Sequence, residues 1–182
     1  GKEGYEVLRS ETVGPAAGAV VRNKAFKAFA VAMVVIVIYM TWRFDLSYAI
    51  CAIVAEFHDA FVCLGAVALS GRELSLPVIS AILTVIGYSL NDTIVIFDRV
   101  RENAKGLKRM PFKDLVNLSV NQTLSRSILT SLTVLIVVLV LFVFGGGVIN
   151  DFAFTMLVGV ISGSYSTVFT ASSLLVDWKG KK

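Results

Sequence analysis

Long apolar segments alternate with short polar ones along the chain. A helix needs about 20 residues, and sometimes as few as 17, to cross a hydrocarbon core of about 30 Å. The pattern predicts five helices of that length, at residues 26–42, 46–69, 76–97, 127–146 and 152–176. We therefore expect an all-α membrane protein, built as a bundle of transmembrane helices.

Composition excludes a water-soluble domain. Of the 182 residues, 56% are hydrophobic and 16% are charged, and the mean hydropathy is +0.78. The net charge of +4 does not indicate a nucleic-acid partner, because Lys and Arg lie in short loops and tails beside membrane lipid, where they set topology. Cys51 and Cys63 fall in one predicted helix about 18 Å apart, so they cannot form a disulfide.

The basic residues predict the orientation of the chain in the membrane. They crowd the loop between the third and fourth predicted helices and the C-terminus, whereas the two loops on the other side hold only Arg72. By the positive-inside rule the long loop and the C-terminus are cytoplasmic, and five crossings place the N-terminus in the periplasm. The basic cluster Arg22, Lys24 and Lys27 opposes this orientation, although most Lys and Arg still lie inside.

Residues 1–24 are predicted to end the first periplasmic domain and lead into the membrane. The first 21 residues mix apolar and polar positions and include the turn pair Gly14-Pro15, which is typical of a last strand and its exit. With no initial methionine and no signal-peptide pattern, the chain is expected to be part of a longer protein. Residues 25–178 then form the transmembrane domain, and residues 179–182 a cytoplasmic tail.

A charged segment at residues 99–122 separates the third and fourth predicted helices. Its apolar positions recur near helical spacing, at Phe112, Leu115, Val116 and Leu118. This spacing predicts an amphipathic helix that lies along the cytoplasmic face of the membrane.

The second helix carries acids on one face. Offsets of four and three residues stack small and acidic side chains there: Ala52, Glu56, Asp59, Cys63 and Ala66. A charge at the bilayer centre costs about 2.5–3.5 kcal/mol, so we expect this stripe to face other helices and to take part in an ion path. His58 lies about 100° from Asp59 around the helix. His58 therefore does not join Glu56 and Asp59 as a metal ligand. It either bonds a neighbouring helix or relays protons.

The third helix has a second small and polar stripe, formed by Ser80, Thr84, Gly87 and Asn91, which is also predicted to face the bundle. Asp92 lies beside Asn91, about 9 Å from the cytoplasmic end of the helix. Its side chain is too short to reach the boundary. Asp98 and Arg99 mark that boundary and are interpreted as solvated or lipid-facing end charges.

Arg126 opens the fourth helix, with Thr130 and Thr133 on the same face. An arginine at this depth is usually a lipid-phosphate anchor, but its long side chain can also reach Asp92. On the fifth helix a close-packing pattern repeats every fourth residue, at Gly159, Gly163, Thr167 and Ala171, with Ser162, Ser166 and Thr170 alongside. We interpret that pattern as structural.

Enzyme signatures are missing from the sequence. There is no Walker A loop, no G-x-S-x-G and no H-E-x-x-H, and a single histidine limits triad schemes. We expect no enzymatic activity, no cofactor and no metal. The energy for any transport must then come from elsewhere, such as the membrane potential.

The run GYSLNDTIVIFDRVREN at residues 87–103 resembles the fourth-helix signature of the SecF family of protein-export membrane subunits. Further pieces of the family pattern follow in order along the chain: Val13-Gly14-Pro15, His58-Asp59, SVNQTLSRSILTSLT at 119–133, Phe144-Gly145-Gly146 and FAFTMLVGVISGSYST at 152–167. Thr167 replaces a common serine and Ser173 an expected proline. These departures affect local helix bending, and the resemblance covers nearly the whole chain.

The resemblance implies an RND-superfamily fold, of which helices two to six of six are present. It also implies assembly with SecD, and use of the proton-motive force to help draw preproteins across the membrane at the SecYEG translocon. YajC is a further candidate partner. By resemblance, Asp92 and Arg126 match the intramembrane proton-path acid and its arginine partner.

Around that pair we place Asn91 and Asp59 in the proton path. Candidate accessory residues are Glu56, His58, Asp98 and Thr130, and candidate helix-packing residues are Gly87, Gly159 and Gly163. Protonation of Asp92 would weaken its pairing with Arg126 and let the two helices shift.

Two other functions remain as alternatives. A small-molecule RND-type exporter subunit usually carries large substrate-binding domains, for which the short loops after Leu69 and Phe144 leave no room. A structural scaffold of a membrane complex is opposed only by the buried acids. The sequence leaves open whether protons or sodium ions drive the protein.

Overall fold

The computed structural model describes residues 15–107 and 109–180, and within them it is helical apart from short connections. The elements are α1 (Pro15–Arg43), α2 (Leu46–Leu69), α3 (Leu76–Gly106), α4 (Phe112–Phe144), α5 (Gly147–Tyr165), a π-helical segment (Ser166–Ala171) and α6 (Ser172–Lys179). The last three form one continuous run, which gives five helices long and apolar enough to cross a membrane. The predicted all-α membrane bundle is confirmed.

The start of α1 differs from the prediction. Residues 15–21 are helical, so the strand predicted there is wrong for that part of the chain, while residues 1–14 lie outside the described residues. Pro15 suits the first position of a helix, where a missing N–H costs nothing, and the alanines that follow it favour helix. The turn signal at Pro15 therefore begins a helix.

The segment at residues 99–122 was predicted to form a separate amphipathic helix, and this prediction is wrong. Instead α3 continues to Gly106 and α4 begins at Phe112, only a short loop later. Polar side chains join the two extended ends: Asn103 Nδ2 donates to Ser119 Oγ at 2.8 Å, and Arg99 Nε donates to Gln122 Oε1 at 2.6 Å. The apolar positions that suggested a helix face lying on the membrane surface instead pack against other helices.

The centre of the bundle is α5, which packs against α2, α3 and α4. Its close approach to α3 depends on glycine. A Cβ atom on Gly159 would lie 2.1 Å from Val85 Cγ2, and one on Gly163 would lie 3.0 Å from Ser89 Cβ. The two glycines of the small-residue repeat thus lie where α5 meets α3, and Thr167 and Ala171, which continue the repeat into the π-helical segment, are buried as well.

The small and polar stripe of α3 is placed differently from the prediction. All four of its residues, Ser80, Thr84, Gly87 and Asn91, are exposed on the surface of this chain. The opposite side of α3 carries larger apolar residues, including Val78, Val85 and Ile96, and these enter the core. The apolar face of α3 makes the contacts with α5. The small and polar stripe therefore faces outward in this chain.

Charged side chains tie the helix ends together. At one end of the bundle Arg43 Nη2 lies 2.7 Å from Asp98 Oδ1, and Lys179 Nζ lies 2.7 Å from Asp45 Oδ2. The hydrogen bond from Lys179, together with its charge, lowers the pKa of Asp45. At the other end Arg72 pairs with Asp151. Asp98 is thus half-buried in an ion pair, rather than a free boundary charge.

Candidate functional site

Asp59 lies at mid-helix on α2 and is completely buried. Its Oδ1 accepts a hydrogen bond from Ser162 Oγ at 2.7 Å, and its Oδ2 accepts bonds from Ser89 Oγ at 2.7 Å and Ser166 Oγ at 2.6 Å. His58 Nδ1 lies 3.2 Å from Oδ1. We call these five residues the Asp59 cluster.

The Asp59 cluster joins α2 to α3, α5 and the π-helical segment. A carboxylate offers about four acceptor positions, and three serine hydroxyls donate to this one, while His58 Nδ1 lies beside it and donates in the tautomer that carries a hydrogen on that nitrogen. The cluster therefore fits an ionised Asp59. A protonated Asp59 would have to donate one hydrogen to a neighbour, which would displace one of the hydroxyl donors.

Glu56 lies one turn before Asp59 on the same face of α2, also at 0% exposure. The inward-facing stripe predicted for α2 is therefore seen, with Ala52 and Cys63 buried alongside the two acids. Glu56 differs from Asp59 in one respect. Among the residues that the structure describes, none forms a hydrogen bond with either of its carboxyl oxygens.

His58 is partly exposed, with 38% of its side chain accessible. It contacts the adjacent Asp59. A hydrogen bond to a neighbouring helix, which was one of its two predicted roles, is not seen among the described residues. Its ring centroid lies 6.5 Å from that of Tyr165 on α5. The histidine thus links the buried Asp59 cluster to the surface of the bundle.

Asp92 lies where α3 meets α4. Ser127 Oγ donates to Asp92 Oδ1 at 2.5 Å, whereas Oδ2 is buried and has no partner. An ionised Asp92 would leave that second oxygen without a donor. The site therefore holds one satisfied carboxyl oxygen and one that can take a proton or a new donor.

Arg126 does not pair with Asp92 in this structure. Within the part of the chain that the structure describes, no ion pair joins the two, and Arg126 is exposed next to Ser127. Thr130 donates to the Arg126 main-chain carbonyl at 3.0 Å, and Asn91 is exposed beside Asp92. Arg126 thus lies next to the residue that contacts Asp92, and that contact is made by Ser127 instead of the predicted arginine.

The two acid sites meet on α3. Ser89 and Asp92 are one turn apart, about 5 Å along the helix axis. Ser89 and Ser127 bond the two acids and were not predicted as site residues, and Ser162 and Ser166 were predicted only as packing residues. A serine in an apolar helix is common as a packing residue, so only the three-residue spacing of Ser89 from Asp92 could have indicated the first of them. Among the described residues, no group of three His, Cys, Asp or Glu side chains could hold a metal ion.

Residues 2–181 match the protein family described as protein export membrane protein SecD/SecF, C-terminal. The chain belongs to this family. The family resemblance carried by residues 87–103 is therefore confirmed.

Named relatives agree with this membership. The chain is 52% identical over 177 residues to a protein translocase subunit SecF of Desulfurispirillum indicum, which covers 96% of this chain and 56% of that protein. It is 46% identical over 176 residues to the protein translocase subunit SecDF of Thermus thermophilus, which covers 97% of this chain and 24% of that protein. The chain thus spans about half the length of the SecF relative.

Solved structures show the same fold. A crystal structure of SecDF from Thermus thermophilus, described as a translocon-associated membrane protein, superposes with a TM-score of 0.87 at 46% identity. The match covers 92% of this chain and 23% of that one. A crystal structure of SecDF in a super-membrane-facing form superposes with a TM-score of 0.84 at 42% identity.

Proposed function

We propose that this chain belongs to a subunit of the Sec protein-translocation machinery, in which an ion gradient across the inner membrane assists the export of preproteins. The observation that carries the proposal is Asp92, a half-buried acid between two membrane-spanning helices, with one oxygen bonded to Ser127 and the other buried without a partner among the described residues. Such acids are costly in a membrane and are kept mainly where ions or protons move. The relatives named as translocase subunits support the same function.

The proposed switch has two arrangements. Burial favours the neutral form of Asp92, and a nearby guanidinium favours its carboxylate, so the charge of Asp92 and the position of Arg126 are coupled. The bond from Ser127 to Asp92 and the exposure of Arg126 support an arrangement in which Arg126 is released. In the other arrangement, Arg126 turns inward to the unpartnered Oδ2, and α3 and α4 shift against each other.

Proton movement supplies enough energy for this change. One charge crossing 100 mV releases about 2.3 kcal/mol, which biases a two-state equilibrium more than tenfold. We place Asp59 and Asn91 beside the path, with Glu56, His58, Asp98 and Thr130 as accessory residues. A sodium ion could use the same potential, so export assays with potassium in place of sodium distinguish the two driving ions.

The exposed stripe of α3 supports a SecD-type partner. Ser80, Thr84, Gly87 and Asn91 form a polar, small-residue face on a helix that can cross a membrane. Lipid does not satisfy such a face, whereas a second helix can pack closely against it. The Thermus thermophilus relative is named SecDF, and its chain is about four times the length of the matched part. Because Asn91 flanks Asp92, the partner would lie directly beside the switch.

We extend the proposal to the whole assembly. The N-terminus of the fragment is periplasmic and its C-terminus cytoplasmic, the SecYEG translocon is the channel that the subunit serves, and YajC is an additional partner. A small-molecule exporter is disfavoured because the relatives are named as translocase subunits. A passive scaffold differs in one testable way, since it would not need Asp92 or Arg126.

Replacing Arg126 tests the proposed function. Arg126→Ala should reduce potential-dependent export in membrane vesicles to the level seen without a potential, because no cation remains to pair with Asp92. Arg126→Lys should retain part of the stimulation, since the charge remains without the forked geometry. Arg109→Ala, at an exposed position in the loop before α4, is the control and should export normally. Full stimulation in Arg126→Ala would overturn the proposed switch.

Replacing Gly87 tests the partner face. Gly87→Leu should leave the isolated chain as stable as the wild type, because nothing lies within 4 Å of a Cβ at that position. Co-purification with the SecD-type partner in mild detergent should fall at least tenfold, since the larger side chain blocks close approach. Gly65→Leu, at an equally open position on α2, is the matched control. Equal recovery of the partner with both variants would show that α3 does not form the interface.

A further inference from the structure

We propose that Glu56 is a second proton-binding site, which holds a proton while Asp59, one turn away, keeps the negative charge. The site is separate from Asp92 and does not rest on the switch proposed above. Its ligand is a single proton on a Glu56 carboxyl oxygen.

The two acids have opposite surroundings, although both are at 0% exposure. Asp59 receives three serine hydroxyls at 2.6–2.7 Å and lies beside His58. Glu56 receives no donor at either oxygen. A buried carboxylate without donors or a cation is unstable, whereas a protonated carboxyl has no charge to stabilise. Of the two, Glu56 is therefore the one that carries the proton.

No cation is positioned to neutralise Glu56. In the part of the chain that the structure describes, the basic side chain that reaches this region is His58, and it contacts Asp59 rather than Glu56. None of the other titratable side chains that the structure describes on α2 and on the elements packed against it is paired with Glu56: Tyr48, Cys51 and Cys63 on α2, Lys24, Lys27, Tyr39 and Arg43 on α1, Tyr88, Asp92, Asp98, Arg99, Arg101, Glu102 and Lys105 on α3, Asp151 and Tyr165 on α5, and Asp177 and Lys179 on α6. Two carboxylates one turn apart would also repel each other, which further favours one neutral acid.

The distances in the cluster favour a proton over a metal cation. Oxygen atoms 2.6–2.7 Å apart are in hydrogen-bond contact, and each serine hydroxyl points its hydrogen at Asp59. Oxygen ligands of a metal ion would have to turn their lone pairs toward the ion and separate around it. The hydroxyls of the Asp59 cluster are already committed to the carboxylate.

Infrared spectroscopy of the full protein in its complex tests the site without any mutation. At neutral pH we expect a carbonyl band of a protonated carboxylic acid, which shifts in D2O. Labelling glutamate with carbon-13 at the side-chain carboxyl should shift that band, whereas labelling aspartate should leave it in place and shift only the separate band of a neutral Asp92. Among the described glutamates only Glu56 is buried, since Glu73 and Glu102 are exposed, and the variants below separate its band from those of glutamates outside the described residues. A band that shifts only with labelled aspartate, or no band at all, overturns the inference.

Two variants assign the band to Glu56. Glu56→Gln replaces a neutral carboxyl by a neutral amide of the same shape, and it should remove the glutamate band. Asp59→Asn is the matched control and should keep it. Loss of the band on adding sodium chloride, with potassium chloride as the control, would show a cation site instead and would contradict the proton assignment. The readout is spectroscopic, so failure here leaves the export results at Arg126 unaffected, and the reverse also holds.

Discussion

Asp92→Asn is expected to abolish the potential-dependent part of protein export while leaving the chain folded. Asparagine has the shape of a protonated aspartate, and its side-chain oxygen can still accept the bond from Ser127 that now measures 2.5 Å. It cannot take up or release a proton, however. The variant should therefore be fixed in the neutral arrangement, with Arg126 released and no cycle between the two states.

Export assays in vesicles with and without a membrane potential measure this effect. The rate for Asp92→Asn with a potential should equal the wild-type rate without one. Asp114→Asn is the matched control, because it makes the same chemical change at an exposed acid in the first turn of α4. Thermal unfolding and partner recovery should match the wild type for both variants. Stimulated export by Asp92→Asn would place the ion path elsewhere, through the Asp59 cluster or the partner subunit.

Hydrophobic length and the positions of acids predicted most of the fold. The bounds of α2 agree with the apolar segment at residues 46–69, because both its ends are marked by loops of polar residues. The acids of α2 were also expected to be buried, since the cost of exposing them to lipid is large. Both inferences depend on the chain and the membrane alone, so the sequence was sufficient.

Inferences about which helices meet were less secure. Periodicity shows that Ser80, Thr84, Gly87 and Asn91 share a face, but it does not show what that face contacts. Two faces of α3 could have met α5, and the apolar one with Val85 did so. The choice depends on three-dimensional packing between helices, and on a partner that this chain does not contain.

The serine hydroxyls that bond the acids could not be predicted from the sequence for a similar reason. Ser127 and Ser89 are each distant in sequence from the carboxyl group they bond, and each lies on a different helix from it. Serines also lie at many other positions in these helices and commonly bond their own backbone, as Ser164 does to Val160. Only the relative rotation of α2, α3, α4 and α5 determines which hydroxyls reach a carboxylate.

Gly159→Ala is expected to destabilise the bundle strongly. The added Cβ would lie 2.1 Å from Val85 Cγ2 and 2.9 Å from Val85 Cβ, far inside the 3.5–4.0 Å of an ordinary carbon contact. Valine in a helix has one strongly preferred rotamer, so Val85 cannot easily turn away. The helices α3 and α5 must then move apart, and overpacking of this kind costs about 1–3 kcal/mol. Because Ser89 and Ser166 lie on these elements, the Asp59 cluster should loosen as well.

Thermal unfolding of the protein in detergent measures the loss. Gly65→Ala is the matched control, since nothing lies within 4 Å of its Cβ and alanine favours helix over glycine by about 1 kcal/mol. That variant should be at least as stable as the wild type. Combining Gly159→Ala with Val85→Ala removes the clashing methyl groups, so the double variant should be less destabilised than the sum of the two single changes. Strict additivity would show that contact with Val85 is not what requires a glycine at position 159.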